Sequence, residues 1–148
     1  RRGMYTLIKR TVPPPSMVIF DASNRDMCEV GRLRTSTPLQ ALVMMNDPAV
    51  LEASRVLASR LLEKKSDTKN SIAEAFRIIV CRKPAEKELD VLTSYYNKEL
   101  NTLTESTASK ALAVGEYPLP QKADLIQLAA MMRVISTIYN LEETITKS

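Results

Sequence analysis

The sequence predicts an all-α domain, and three observations carry that prediction. Only three glycines occur in 148 residues, while Leu, Ala, Ile and Met are plentiful, a composition that suits helices and not a turn-rich β fold. From Ser36 onward apolar residues recur at helical spacing. Segment after segment also opens on helix-start chemistry, with proline or a capping side chain at its first positions. The expectation is a single helical bundle of about five to six helices over residues 35–148, preceded by an irregular, proline-containing basic arm over 1–34. At 148 residues the chain is one domain's worth, long enough to bury a core, and no internal repeat divides it.

Taken in order, "MYTLIKR" fits a short helix or a strand equally well. Pro13, Pro14 and Pro15 then lock an extended, polyproline-like run without N–H donors. "VIFDASNRD" reads as a short extended run passing into a turn, with Asp21, Ser23 and Asn24 supplying turn chemistry. The first helix starts where Thr37 caps, Pro38 takes the first helical position and Gln40 completes a capping box. "LQALVMM" is apolar nearly all round, which predicts burial, and it ends at Asn46 because Asp47 caps and Pro48 opens the next helix.

In that second helix Val50, Ala53, Ser54, Leu57 and Leu61 share the inward face, with Glu52, Arg55, Ser59 and Glu63 outward. A third helix starts near Asp67 or Asn70, points Ile72, Ala75, Phe76 and Ile79 inward, and stops around Arg82-Lys83. Pro84 opens a fourth, striped by Leu89, Leu92, Tyr96, Leu100 and Leu103. A short fifth is capped at Ser106 and stopped by Gly115 in the residue position just past its C-cap. The last, from about Ala123 to a break near Asn140, is apolar over more than half its circumference and is predicted to be the central helix.

Charge and missing residue types narrow the chemistry. Residues 1–34 hold seven Lys or Arg against Asp21, Asp26 and Glu29, while 35–148 hold 14 of each sign, so the whole excess of +4 sits in the arm. Such an arm suits an anionic partner or an acidic neighbouring surface. Aromatic platforms interleaved with it are limited to Tyr5 and Phe20, which makes nucleic acid the least favoured partner. With no His, neither a Ser-His-Asp nor a Cys-His pair forms within this chain, and His-containing zinc sites and the C-x-x-C-H haem attachment are excluded. The glycines lie too far apart for a phosphate-binding loop. No apolar run approaches the roughly 18 residues of a membrane span. Cys28 and Cys81 are too few for a disulfide scaffold, and Cys28 is read as a packing residue.

The stretch from Tyr5 to Leu62 resembles a known family. Its marks are Tyr5-Thr6, Lys9-Arg10-Thr11, Pro13-Pro14, Phe20-Asp21-Ala22, Cys28, the run from Arg32 to Leu42, and Asn46-Asp47-Pro48; "AFRIIVCRKPAEKEL" and "IYNLEETIT" are similar too. The family is the C-terminal domain of unknown function numbered 1553 in its series, found in planctomycete-type cytochrome-c-associated proteins. The resemblance implies a fragment of a larger exported protein (periplasmic or cell-surface), with upstream domains of the same polypeptide as partners and haem carried only by such a domain. The opening Arg-Arg-Gly, without an initiator Met, agrees with a fragment. Two departures stand out: Cys81 replaces a usual Gly, which argues against a shared Cys28–Cys81 disulfide, and Ala85 replaces a usual Thr cap, weakening that helix start by roughly 1 kcal/mol.

The candidate site follows from the same residues. Arg25, Arg32, Arg34 and Thr37 form a candidate anion- or partner-binding set at a helix N-terminus, where free N–H groups favour negative charge. Asp21, Gln40, Asn46 and Asp47 form a candidate structural polar cluster, with Asp21 and Asp47 expected to gather around the Thr37 start. The competing reading, which is favoured, has the arginines clamp the arm onto the bundle through its carbonyls and Asp21. Glu142-Glu143 is read as a solvated face. No catalytic residue, metal ligand or cofactor is assigned to this fragment. The function expected is an interaction or structural domain. The alternatives are part of a polysaccharide-degrading enzyme whose anionic substrate meets Arg32 and Arg34, and nucleic-acid binding through the arm.

Overall fold

A computed structural model describes residues 6–9, 11–23, 30–31, 35–64, 66–120 and 124–145. Among them are eight helices and no strand: α1 (Pro15–Ile19), α2 (Pro38–Asn46), α3 (Pro48–Glu63), α4 (Thr68–Val80), α5 (Glu86–Thr102), α6 (Glu105–Leu112), α7 (Leu125–Tyr139) and α8 (Glu142–Ile145). The protein is all-α, and α2 to α7 are the six helices expected from the sequence; α1 and α8 are short additions. No described helix is long and apolar enough to cross a membrane.

α7 is the central helix, as its composition predicts. Leu128, Ala129, Ala130, Met131, Val134, Ile135 and Ile138 are fully buried, because α3, α4, α5 and α6 all pack against it. A helix apolar most of the way round needs partners on most sides. The neighbours contribute Leu61, Ile72, Phe76, Leu92, Tyr96, Leu103 and Leu112 to the same core. Truncating a side chain such as Ile135 to Ala there costs about 2–5 kcal/mol.

Local capping chemistry sets most boundaries. Thr37 and Gln40 close a reciprocal box at the start of α2, Asp47 accepts the Ala49 N–H at 2.8 Å, and Asp124 accepts those of Ile126 and Gln127 at the start of α7. α6 is capped by Thr104 with Thr107, not by Ser106, since Thr107 three residues on returns a bond to the Thr104 N–H. Ala85 caps α5 with no side chain to offer; only the reciprocal half of the box survives, Glu88 Oε2 accepting the Ala85 N–H at 2.7 Å. Pro84 accordingly stands one residue before the cap and does not open the helix. α4 ends on Cys81 at φ 63°, a left-handed backbone that glycine adopts most readily.

Several expectations are corrected. Val18 and Ile19 are helical, because Pro14 stays extended (ψ 129°) while Pro15, with its fixed φ, takes the first position of α1. Of "MYTLIKR", Lys9 joins only a single antiparallel bridge to Val12. Arg55, expected outward, is 3% exposed, and Glu52 turns the same way. The loop after α6 crosses there, and its main chain needs partners: Arg55 Nη2 donates to the Tyr117 carbonyl at 2.6 Å, and the Tyr117 N–H donates to Glu52 Oε1 at 2.5 Å. Gly115 lies two residues beyond the Ala113 C-cap, at φ 78°, pressed against the Glu52 side chain. Finally, α2 is not buried all round. Only Gln40 is enclosed, while Leu39, Leu42 and Met45 are each more than half exposed.

Candidate docking site around the second helix

The start of α2 is tied to the arm by a short polar relay. Gln40, 2% exposed, donates from Nε2 to the Ile19 carbonyl at 2.9 Å and to Thr35 Oγ1 at 3.2 Å. The Thr35 hydroxyl passes its own proton to Asp21 Oδ2 at 2.7 Å, and the Thr35 N–H donates to the same oxygen at 2.9 Å. These hydrogen bonds from Thr35, the hydroxyl's first, hold the Asp21 carboxyl below its usual range. Asp21 reaches them by adopting φ 54°, a left-handed turn that Asp tolerates better than most residues. Gln40 Oε1 also accepts the Thr37 N–H, and Thr37 Oγ1 the Gln40 N–H, both at 3.4 Å. With Pro38 lacking an N–H, the helix start is closed mainly from within.

The structure therefore brings Asp21, Thr37 and Gln40 together and adds Thr35, which sequence reasoning passed over. It separates Asn46 and Asp47 from them. Nine helical residues intervene, roughly 13 Å at ~1.5 Å per residue. Asn46 Nδ2 turns back to the Leu42 carbonyl at 2.8 Å, and Asp47 is spent on capping α3. Arg25, Arg32, Arg34 and Cys28 lie outside the described residues.

On the far side of this clamp, α2 presents Leu39, Leu42 and Met45 to water at spacing i, i+3, i+6, a stripe along one side of the helix. Its last member, Met45, leads into a cleft of about 350 Å³ at the Asn-Asp-Pro corner. Leu51 and Met132 line the cleft with Met45, and Tyr95, Arg133, Ser136 and Asn140 supply polar groups. Arg133 is paired with Glu99 in α5. Burial pushes the Tyr95 hydroxyl up, and the Glu99 charge adds to the shift. Nothing local announces these residues: Glu99 and Arg133 meet across 34 positions of sequence.

A second charged cluster is structural. Arg82, stacked over Phe76, grips Glu88 through both terminal nitrogens at 2.9 and 2.7 Å and Glu143 through Nε and Nη2 at 2.8 Å each. This fork-to-carboxylate geometry ties the α4–α5 corner to α8. Glu143 keeps the exposed position expected of it while pairing with Arg82, and the Arg82 bonds first and the Ala85 N–H second hold Glu88 down to about 2. Cys81 beside it is a free, exposed thiol.

No curated protein and no solved structure shows significant similarity to the chain. One family model does match, described as PSD1, protein of unknown function (DUF1553), over residues 1–96. The match runs from the arm through α4 and into α5, stopping short of "IYNLEETIT", and so takes in both the Asp21–Thr35–Gln40 clamp and the Asn-Asp-Pro corner. On that match, covering well over half its length, the chain belongs to the DUF1553 family.

Proposed function

We propose that this domain is a non-catalytic docking module within a larger exported polypeptide of the cytochrome-c-associated kind, and that α2 is the surface it offers to a neighbouring domain. The observation that carries this reading is the combination at α2. Its inner side is fixed by a buried glutamine relay, while its outer side holds Leu39, Leu42 and Met45 in water. Contiguous exposed apolar side chains mark interaction surfaces more often than scattered ones do. The neighbouring arm carries the entire +4 excess of the sequence, which favours an acidic rim on the partner and fast, steered docking. Haem and catalytic groups belong, in this reading, to other domains of that polypeptide.

The test is association in trans. Produced as separate chains, this domain and the remainder of its polypeptide bind each other. Leu42→Asp, an exposed position whose change leaves the helical circular dichroism intact, weakens that binding roughly tenfold or more. Unchanged affinity for a folded Leu42→Asp variant refutes the assignment of α2.

A further inference from the structure

We infer that the outer side of the arm is a contact for an anionic lipid surface, which Leu7, Val12 and Val18 enter shallowly while basic side chains stay at the phosphate level. This goes beyond the docking reading and stands on other residues, since the α2 stripe takes no part in it. Three observations select that partner. First, the arm is apolar on two sides. Ile8, Met17 and Ile19 are partly covered, whereas Leu7, Val12, Val18, Phe20 and Val30 are turned to water. These are five of the thirteen large apolar residues exposed among the described ones, all within residues 1–34, so the excess is local. Leu7 is 87% exposed and Val12 70%. For side chains that stand this clear of the surface, a protein partner would need a separate fitted pocket each. The hydrocarbon edge of a lipid layer closes around each without one.

Second, the turn that carries two of these residues has the chemistry of an interfacial tip. The Val12 N–H donates to the Lys9 carbonyl at 3.1 Å, closing a tight turn with Leu7 just before it and Val12 at its end. Lys9 is exposed between them, on a stem long enough to keep its ammonium among phosphates while its aliphatic neighbours enter. Pro13, Pro14 and Pro15 follow, and they bring no N–H that would lose a water partner there.

Third, the charge decides which side lands. Residues 1–34 hold seven Lys or Arg against three acids, one of which, Asp21, is held by Thr35, while 35–148 are balanced. An anionic surface therefore attracts the arm and not the bundle, within a screening length of about 10 Å. Insertion to about 5–10 Å needs no membrane-spanning helix.

The experiment sediments the 148-residue chain with vesicles of phosphatidylglycerol and phosphatidylcholine in equal parts, and with vesicles of phosphatidylcholine alone. At about 0.1 M salt, partition onto the anionic vesicles is expected to exceed that onto the neutral ones roughly tenfold or more. Salt of about 1 M, where the screening length is ~3 Å, removes most of that difference. Leu7→Ser combined with Val12→Ser lowers partition about tenfold, with helical circular dichroism and urea midpoint unchanged because both side chains are exposed. Lys9→Glu lowers it to a similar extent. Val91→Ser, at an exposed aliphatic position on α5, leaves it as it was. Absence of binding to anionic vesicles, equal binding to both kinds, or a Val91→Ser loss as large as that of the arm variant overturns the inference. So does wild-type partition by the Leu7→Ser, Val12→Ser chain, which would reduce the contact to surface adsorption of charge.

Discussion

Replacing Gln40 with Ala separates a structural clamp from an open ligand site at the start of α2. The side chain is 2% exposed and makes three bonds: two donated, at 2.9 and 3.2 Å, and one accepted at 3.4 Å. At about 1 kcal/mol for each well-formed bond and less for the longest, their loss costs about 2 kcal/mol. The orphaned Ile19 carbonyl and the vacated volume add to this, giving an expected total of about 2–3 kcal/mol while the arm stays docked. If the arm lifts off instead, the cost is capped at its own docking free energy and the damage is local. Urea unfolding followed by far-ultraviolet circular dichroism gives the first number. Hydrogen exchange at the Ala22 amide, bonded to the Met17 carbonyl at 2.8 Å, reports the second event. A loss below about 0.5 kcal/mol with Ala22 still protected contradicts the clamp, because a satisfied buried relay cannot be removed so cheaply.

Three further outcomes follow from the backbone and the charges. Gly115→Ala forces a side chain into a left-handed residue and onto Glu52, so it costs about 2–3 kcal/mol in urea unfolding; a neutral result refutes the tight loop described here. Cys81→Gly relieves φ 63° at the end of α4 and raises stability by about 0.5 kcal/mol after the entropy penalty of glycine, whereas a loss means the thiol packs productively. Acid destabilises the fold through Glu88. Its folded-state value is depressed to about 2, so the stability it contributes is complete above its unfolded value near 4.5 and is lost as pH falls from there towards 2. Glu143 and Asp21 shift in the same direction. The urea midpoint is therefore flat above about pH 5 and falls below it, less steeply in Glu88→Gln; identical profiles for the two proteins contradict the Arg82 cluster.

What was legible in the sequence is what is decided locally. Thr37-Pro38 with Gln40, and Asp47-Pro48, are helix starts by side-chain and ring chemistry alone, and both stand where expected. The run from Leu125 to Tyr139 has too much apolar circumference to be anything but central. The misses depend on what arrives from elsewhere. Arg55 reads as outward until the loop at Tyr117 lands on it, 62 residues away. Glu143 is exposed as its sequence suggests, but its pairing with Arg82 spans 61 positions and leaves no local mark. α2 reads as buried because its composition is apolar, yet only its neighbours decide which side is covered. In the candidate site, Asp21 and Gln40 were found by their chemistry, and Thr35, their link, carried no signal of its own. The grouping of Asp47 with the Thr37 start failed on simple geometry, since a helix predicted between them already held them apart.

The docking role of α2 is tested most directly by hydrogen–deuterium exchange on this domain alone and within its full polypeptide. The account predicts that protection rises at residues 38–46 in the full polypeptide, together with the arm, while the buried amides of α7 stay as slow as before. Equal exchange across 38–46 in the two forms contradicts it.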